Sequence, residues 1–190
     1  QDSLRLKSLI DDLLDAARIE AGSLDLDLTE VDLGPVIEEA VASMRGMVSE
    51  KGLLIHLDLA PVLPSVTGDR SRLLPLIVGL ISNACQYNET GGIITVAATA
   101  GGGCLQVEIS DTGVGISSED QARLFTKFFR ADDVVTRQIP GSGLGLFIAR
   151  HLVEAHEGTM CVESEQGLGS TFKFSLPVER AKQAAEGLGR

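Results

Sequence analysis

Two pairs of alternating segments constrain this chain more than anything else in it. GIITVAATA (92–100) and GCLQVEISD (103–111) place apolar side chains at every second position and are joined around Gly101–Gly103, which reads as a β-hairpin. TMCVES (159–164) and STFKFSLP (170–177) repeat the pattern as a final hairpin. LDLDLTEVDL (24–33) and LLIHLDLA (53–60) add two further half-buried strands. Between them lie helical stretches. One opens at Gly34-Pro35 and runs to about Glu50, with Pro35 tolerated in the first turn. A second runs from Asp69, whose carboxylate can cap early amides, to Tyr87. A short one covers 118–125 and a last one 144–157. APVLPSVTG (60–68) reads as a proline-rich connector, and 126–140 as an irregular polar stretch. The order is strand, helix, strand, helix, hairpin, loop, helix, hairpin. It lacks the βαβ alternation of a doubly wound fold and predicts an α+β domain, a mixed sheet covered on one face by helices.

Residues 3–21, SLRLKSLIDDLLDAARIEA, precede this domain. Leu6, Ile10, Leu13 and Ala17 form an apolar seam that Leu9 and Leu14 widen, and Gly22 ends the helix. So short a helix needs a partner for its seam, either its own domain or a second helix in a bundle. The abrupt change of pattern at residue 24 favours the bundle, and the opening in mid-helix at Gln1 leads us to expect a fragment of a longer protein. The expected division is therefore 1–22 as an N-terminal bundle helix, 23–178 as the domain, and 179–190 as a frayed, flexible tail.

Composition excludes several functions. A formal net charge of −11 argues against nucleic-acid binding, which needs clustered Lys and Arg to displace counterions. An anionic ligand must then be held by local donors or a metal. No apolar run approaches the roughly 18 residues of a membrane span. Cys85, Cys104 and Cys161 form no CxxC pair, which fits reduced thiols and a cytoplasmic location.

Three short motifs carry chemistry. In ISNACQYN (81–88), Asn83 follows a strongly apolar turn; a mid-helix amide there faces solvent, caps, or points into a pocket, where its oxygen could serve Mg²⁺. DTGVG (111–115) follows a strand and is either a plain turn or a place where Asp111 accepts a hydrogen bond while Gly113 and Gly115 let backbone approach a ring. In IPGSGLGLFIAR (139–150), Gly141, Gly143 and Gly145 lead into a helix N-terminus, the arrangement that cradles anions. Glu163 lies where a dinucleotide fold would put its ribose ligand, but DDVVTRQIP is no central strand and the spacing is GxGxG rather than GxGxxG.

Taken together, Asn83 within NACQYN, DTGVG, LFTKFFR (124–130) and GSGLGL resemble the Asn box, first Gly box, Phe box and second Gly box of the sensor histidine kinase ATP-binding domain, whose superfamily includes gyrase B, Hsp90 and MutL. LIDDLLDAARIEAGSLDLDLTEVDLGPVIEEAV is similar to the end of that family's dimerisation helix and its link to the catalytic domain, and the resemblance covers roughly residues 3–177. It implies a Bergerat-type two-layer α/β sandwich, a mixed five-stranded sheet under three helices, preceded by the N-terminal helix. It also implies ATP and Mg²⁺ as cofactors. By resemblance Asn83 coordinates Mg²⁺, Tyr87 lines the nucleotide pocket, and Asp111 accepts the adenine amino proton. Gly113 and Gly115 give the base room, and 126–140 is a lid with Phe128 and Phe129 as its hinge. Arg130 lies near the terminal phosphate, and Gly141, Gly143, Leu144 and Gly145 close on the phosphates.

The implied reaction moves the ATP γ-phosphoryl group to a histidine for relay to a response regulator. None of His56, His151 and His156 has the sequence context of that phosphoacceptor, so each is assigned a structural or surface role and the acceptor helix is expected elsewhere, with homodimerisation through the N-terminal helix. Two positions depart from the family's pattern. Gly79 stands where a second Asn, or the water-activating Glu of the hydrolysing relatives, is usual, and Gln86 stands where a Lys is expected. They keep open a catalytically weak or nucleotide-sensing module; an anti-sigma-type serine kinase is a further alternative.

Overall fold

The computed structural model of the chain describes residues 2–130 and 141–178, with side chains from residue 9 onward. The elements run α1 Asp2–Glu20, β1 Thr29–Val31, α2 Leu33–Glu50, β2 Leu54–Leu59, β3 Val66–Gly68, α3 Arg70–Gln86, β4 Ile93–Gly101, β5 Cys104–Asp111, α4 Ser118–Gln121, α5 Gly145–Ala155, β6 Thr159–Glu165 and β7 Gly169–Pro177. Five strands form one sheet in the order β2-β4-β5-β7-β6. β2 pairs with β4 in parallel and the other pairs are antiparallel, so the sheet is mixed, as expected.

Alternation decides which face is covered. Ile94, Val96 and Ala98 of β4, Leu105, Val107 and Ile109 of β5, and Phe172, Phe174 and Leu176 of β7 are all buried. Their alternate neighbours turn to the other face. Against this apolar layer α3 sets Leu73, Leu76, Ile77, Leu80, Ile81 and Ala84 at helical spacing, while α2 contributes Val36, Ile37, Ala40, Val41, Met44 and Val48. Phe147, Ile148, Leu152 and Val153 complete the layer from α5. Three helices therefore cover one face of a five-stranded sheet.

Several boundaries differ from the sequence reading. The alternation of 24–33 yields only a three-residue strand, β1, and it pairs with β3 rather than with the main sheet. β3 itself lies in the stretch that reads as a connector; its length limits how much of 24–33 can be paired. α2 starts at Leu33, because the Asp32 carboxylate accepts from Gly34 N at 3.1 Å and caps the helix earlier. α4 ends at Gln121 instead of 125, giving way to turns such as Thr126 N–H to Arg123 O. α5 covers 145–155 rather than 144–157.

Asp69 caps α3 as predicted. Burial opposes its charge, but bonds from the Ser71 hydroxyl and from the Asp27, Ser71 and Arg72 backbone hold its carboxyl below the ordinary value. Its own N–H donates to His156 Nε2 at 2.9 Å, and His156 Nδ1 lies 2.6 Å from the Leu152 carbonyl. This buried imidazole links the start of α3 to the end of α5. All three cysteines are free.

The predicted seam of α1 stays exposed at Ile10, Leu13 and Ala17, as do Leu9 and Leu14 that widen it. A neighbouring face docks on the domain instead, with Ala16 buried and Asp15 paired with Arg72 at 2.8 Å. Domain docking and an exposed seam are thus both present, on different faces of one helix. No helix among the described residues is long and apolar enough to cross a membrane. The expected tail, 179–190, lies outside the described residues.

Candidate functional site

The end of α3, the loop after β5 and the start of α5 enclose a cavity of about 460 Å³. α3 supplies its last turn. Lys51 Nζ donates to the carbonyls of Cys85 and Gln86 at 2.7 and 2.6 Å, satisfying two acceptors that the helix end leaves open. Asn83, Gln86 and Tyr87 then line the cavity. The Asn83 amide has no hydrogen-bond partner among the described residues and is available to a ligand. Gln86 is turned back on its own helix, donating to Ser82 Oγ at 2.9 Å. Gly79 lies outside the lining residues, exposed, with nothing near its Cα substituent position.

Asp111 ends β5 between Ile94 and Ser170 of the neighbouring strands and is only 8% exposed. Burial pushes its carboxyl above the ordinary value, and backbone N–H groups of Gly113 and Ser170 pull it back. The Gly113 bond measures 2.8 Å. Val114, Gly115, Ile116 and Phe172 line the same cavity. A single desolvated acceptor among apolar walls suits a planar ring that carries an amino group. Tyr87 is likewise pushed up by burial, with Arg130 opposing.

Gly141, Ser142, Gly143, Gly145, Phe129 and Arg130 form the opposite wall. Arg130 Nη1 reaches the Gly141 carbonyl at 3.5 Å. Gly143 has φ +71°, and a Cβ there would lie 2.7 Å from the Phe128 carbonyl carbon; only glycine can bring these segments together. A Cβ at Gly145 would meet nothing, leaving the space beside the α5 N-terminus open.

Most of the predicted residues thus meet: Asn83, Tyr87, Asp111, Gly115, Arg130, Gly141, Gly143 and Gly145 share one cavity. Three do not line it. Gly113 is buried beneath it, and a Cβ there would sit 2.2 Å from the Tyr87 carbonyl oxygen, so glycine is required by backbone packing. Leu144 is 2% exposed and belongs to the core. Phe128 is 63% exposed with φ 58°, and Phe129 lines the cavity instead. Of the expected lid, 131–140 lies outside the described residues.

Sequence reasoning missed Leu9 and Asp12 of α1, Ser142, Leu146 and the β7 residues Ser170 and Phe172. The Ser142 hydroxyl donates to Asp12 at 3.1 Å across 130 positions of sequence, a contact that no local pattern announces. Among the described residues no group of three His, Cys, Asp or Glu could hold a metal. At the end of α3 the lining instead offers neutral amide oxygens, those of Asn83 and Gln86, as suits Mg²⁺ held mainly by phosphate and water.

Of the three histidines, His56 is exposed on β2, His151 Nδ1 lies 2.9 Å from the Phe147 carbonyl, and both ring nitrogens of His156 are engaged.

Comparison with known proteins agrees with this geometry. The profile of the family described as "Histidine kinase-, DNA gyrase B-, and HSP90-like ATPase" matches residues 68–180. The sensor-like histidine kinase SenX3 of Mycobacterium tuberculosis is 33% identical over 96% of this chain, which spans 46% of that protein's length. The structure of full-length ShkA in complex with AMPPNP superposes with a TM-score of 0.79 at 30% identity, covering 91% of this chain and 36% of that one. Histidine kinase ThkA in complex with the response regulator protein TrrA shares the fold, with a TM-score of 0.73 at 22% identity over 93% of this chain and 48% of that one.

Proposed function

The chain belongs to the histidine kinase-, DNA gyrase B- and HSP90-like ATPase family and carries an ATP-binding catalytic domain of the histidine kinase type, and on that premise we propose that it transfers the γ-phosphoryl group of Mg·ATP to a histidine on a separate helix. The observation that carries this reading is the meeting of Asn83, Asp111, Arg130 and Gly145 around one cavity. Asp111 takes the adenine amino group, Tyr87 borders the nucleotide, and the glycine-rich wall faces the phosphates. Asn83 offers its amide oxygen to Mg²⁺, which when bound neutralises phosphate charge. Arg130 supplies the protein's own positive charge near the terminal phosphate, so the chain contributes positioning and electrostatics.

The phosphoryl group then passes to a response regulator aspartate, as the ThkA–TrrA pairing suggests for this fold. We assign 1–22 to the dimerisation helix, the full protein to a homodimer, and the domain to the cytoplasm. Gly79 and Gln86 make a catalytically weak or nucleotide-sensing module the second reading, and the α1 seam weighs against an anti-sigma serine kinase.

The test is phosphotransfer in trans. With labelled Mg·ATP and a supplied histidine-bearing helical domain of a sensor kinase, acid-labile label accumulates on the supplied histidine. The chain alone labels none of His56, His151 and His156. Label on any of these three, or none on the acceptor despite bound ATP, contradicts the proposal; the second result favours the nucleotide-sensing alternative.

A further inference from the structure

We propose that α1 is a built-in competitor for the phosphate end of this cavity, with the Asp12 carboxylate engaging, through Ser142, the glycine-rich segment that nucleotide phosphates need. The inference rests on the ATP reading above and adds a regulatory element to it.

The geometry is a short relay. Ser142 Oγ donates its proton to Asp12 at 3.1 Å and accepts from Leu144 N at 3.2 Å. Leu144 is the N-cap of α5 and gives that helix no side-chain cap. The start of α5 therefore presents its partial positive charge without an anion of its own, and Asp12 is the carboxylate coupled to it. Asp12 and Leu9, one helical turn apart, both line the cavity. A fixed carboxylate at that wall repels a polyphosphate, because like charges a few ångströms apart cannot share one set of donors.

The rest of α1 is built to hold this contact and to release it. Its second half is fixed by the Asp15–Arg72 pair, the buried Ala16 and the Glu20–Lys127 ion pair. Around Asp12 its apolar side chains are not packed away, with Leu9 40%, Ile10 50% and Leu13 57% exposed. Burial pushes the Asp12 carboxyl above its ordinary value, the Ser142 bond pulls it back, and Asp15 and Asp11 push it further up. Charge at this position is thus held at some cost even before a phosphate arrives. Because coupling is reciprocal, whatever draws α1 away favours nucleotide, and nucleotide favours the release of α1.

The experiment compares wild type with Asp12→Asn, which keeps an oxygen for Ser142 and loses the charge, and with Asp12→Ser as a second neutral variant. ATP, ADP and adenosine are titrated against each in Mg²⁺ at low salt. Both variants bind ATP about threefold to tenfold more tightly, gain less for ADP and nothing for adenosine, and lose the gain at high salt. Saturating ATP also speeds hydrogen exchange of wild-type amides in 9–14. Equal ATP affinity in all three proteins overturns the inference and leaves the ATP reading standing. Weaker ATP binding by both variants also overturns it, making Asp12 a helper of the bound cation. ATP binding by none of them overturns both.

Discussion

Asp111 carries opposing demands. Its burial raises the carboxyl's pKa above 3.8 in the folded chain, so the folded state holds its proton at pH values where the unfolded chain has released it. Stability contributed by the protonated form is complete below 3.8 and is lost as pH rises through the folded value. Asp111→Asn removes that loss. Urea unfolding followed across the acidic to neutral range should show the variant gaining on wild type as pH rises, while its preference for ATP over GTP disappears. A constant difference at every pH would remove the desolvation argument. The glycines divide on similar physical grounds. Gly143→Ala meets both a left-handed backbone and the Phe128 carbonyl carbon, and should lower stability by about 1–3 kcal/mol. Gly145→Ala meets open space at a helix start; it should leave stability equal or raise it by up to about 1 kcal/mol, yet weaken Mg·ATP binding. Thermal denaturation and nucleotide titration of the two variants separate a packing glycine from one reserved for a ligand. If Gly145→Ala binds ATP as wild type does, that space serves no phosphate.

At the scale of elements, His156 shows how the site is braced from behind. Its ring joins the Asp69 N–H that opens α3 to the Leu152 carbonyl near the end of α5, and these two helices carry Asn83 and the glycine-rich start. His156→Ala strands the buried Asp69 N–H, while the Leu152 carbonyl keeps its bond from the backbone N–H of residue 156, and should cost about 1–3 kcal/mol of unfolding free energy, measurable by denaturant titration. A loss below about 0.5 kcal/mol would mean that water or another group already serves that N–H. The hairpins β4–β5 and β6–β7 and the helices α2, α3 and α5 were legible because each has one buried face, and burial writes its period into the sequence. β3 was not, since Val66–Gly68 is three residues long and follows Pro61 and Pro64. The long alternation at 24–33 overstated β1 for the complementary reason: apolar residues such as Leu24 and Leu26 are only partly buried against the core, outside any strand. In the site, Asn83, Asp111 and the second glycine group were legible because motifs that are ambiguous singly occur together in the order and approximate spacing of the family's boxes. Asp12 and Phe172 were not. One lies on an acidic helix and the other in an ordinary core alternation, and only the tertiary fold brings them to the cavity.

For the molecule as a whole, a formal charge of −11 and a site for a polyphosphate are reconciled locally. On the proposed reading Arg130, the start of α5 and the backbone around Gly141–Gly145 would provide the donors, and the proposed role of α1 adds an opposing carboxylate. The family's fold supplies the cavity, and the departures at Gly79 and Gln86 fall where they leave Asn83 and Asp111 in place. Isothermal titration of Mg·ATP and Mg·GTP against wild type and Asn83→Ala tests the central claim most directly. The account predicts one saturable ATP site per chain, with GTP and the Asn83→Ala variant each at least about tenfold weaker, roughly the loss of one charge-assisted contact. No saturable ATP binding by the wild type, or equal affinity for ATP and GTP, would contradict it.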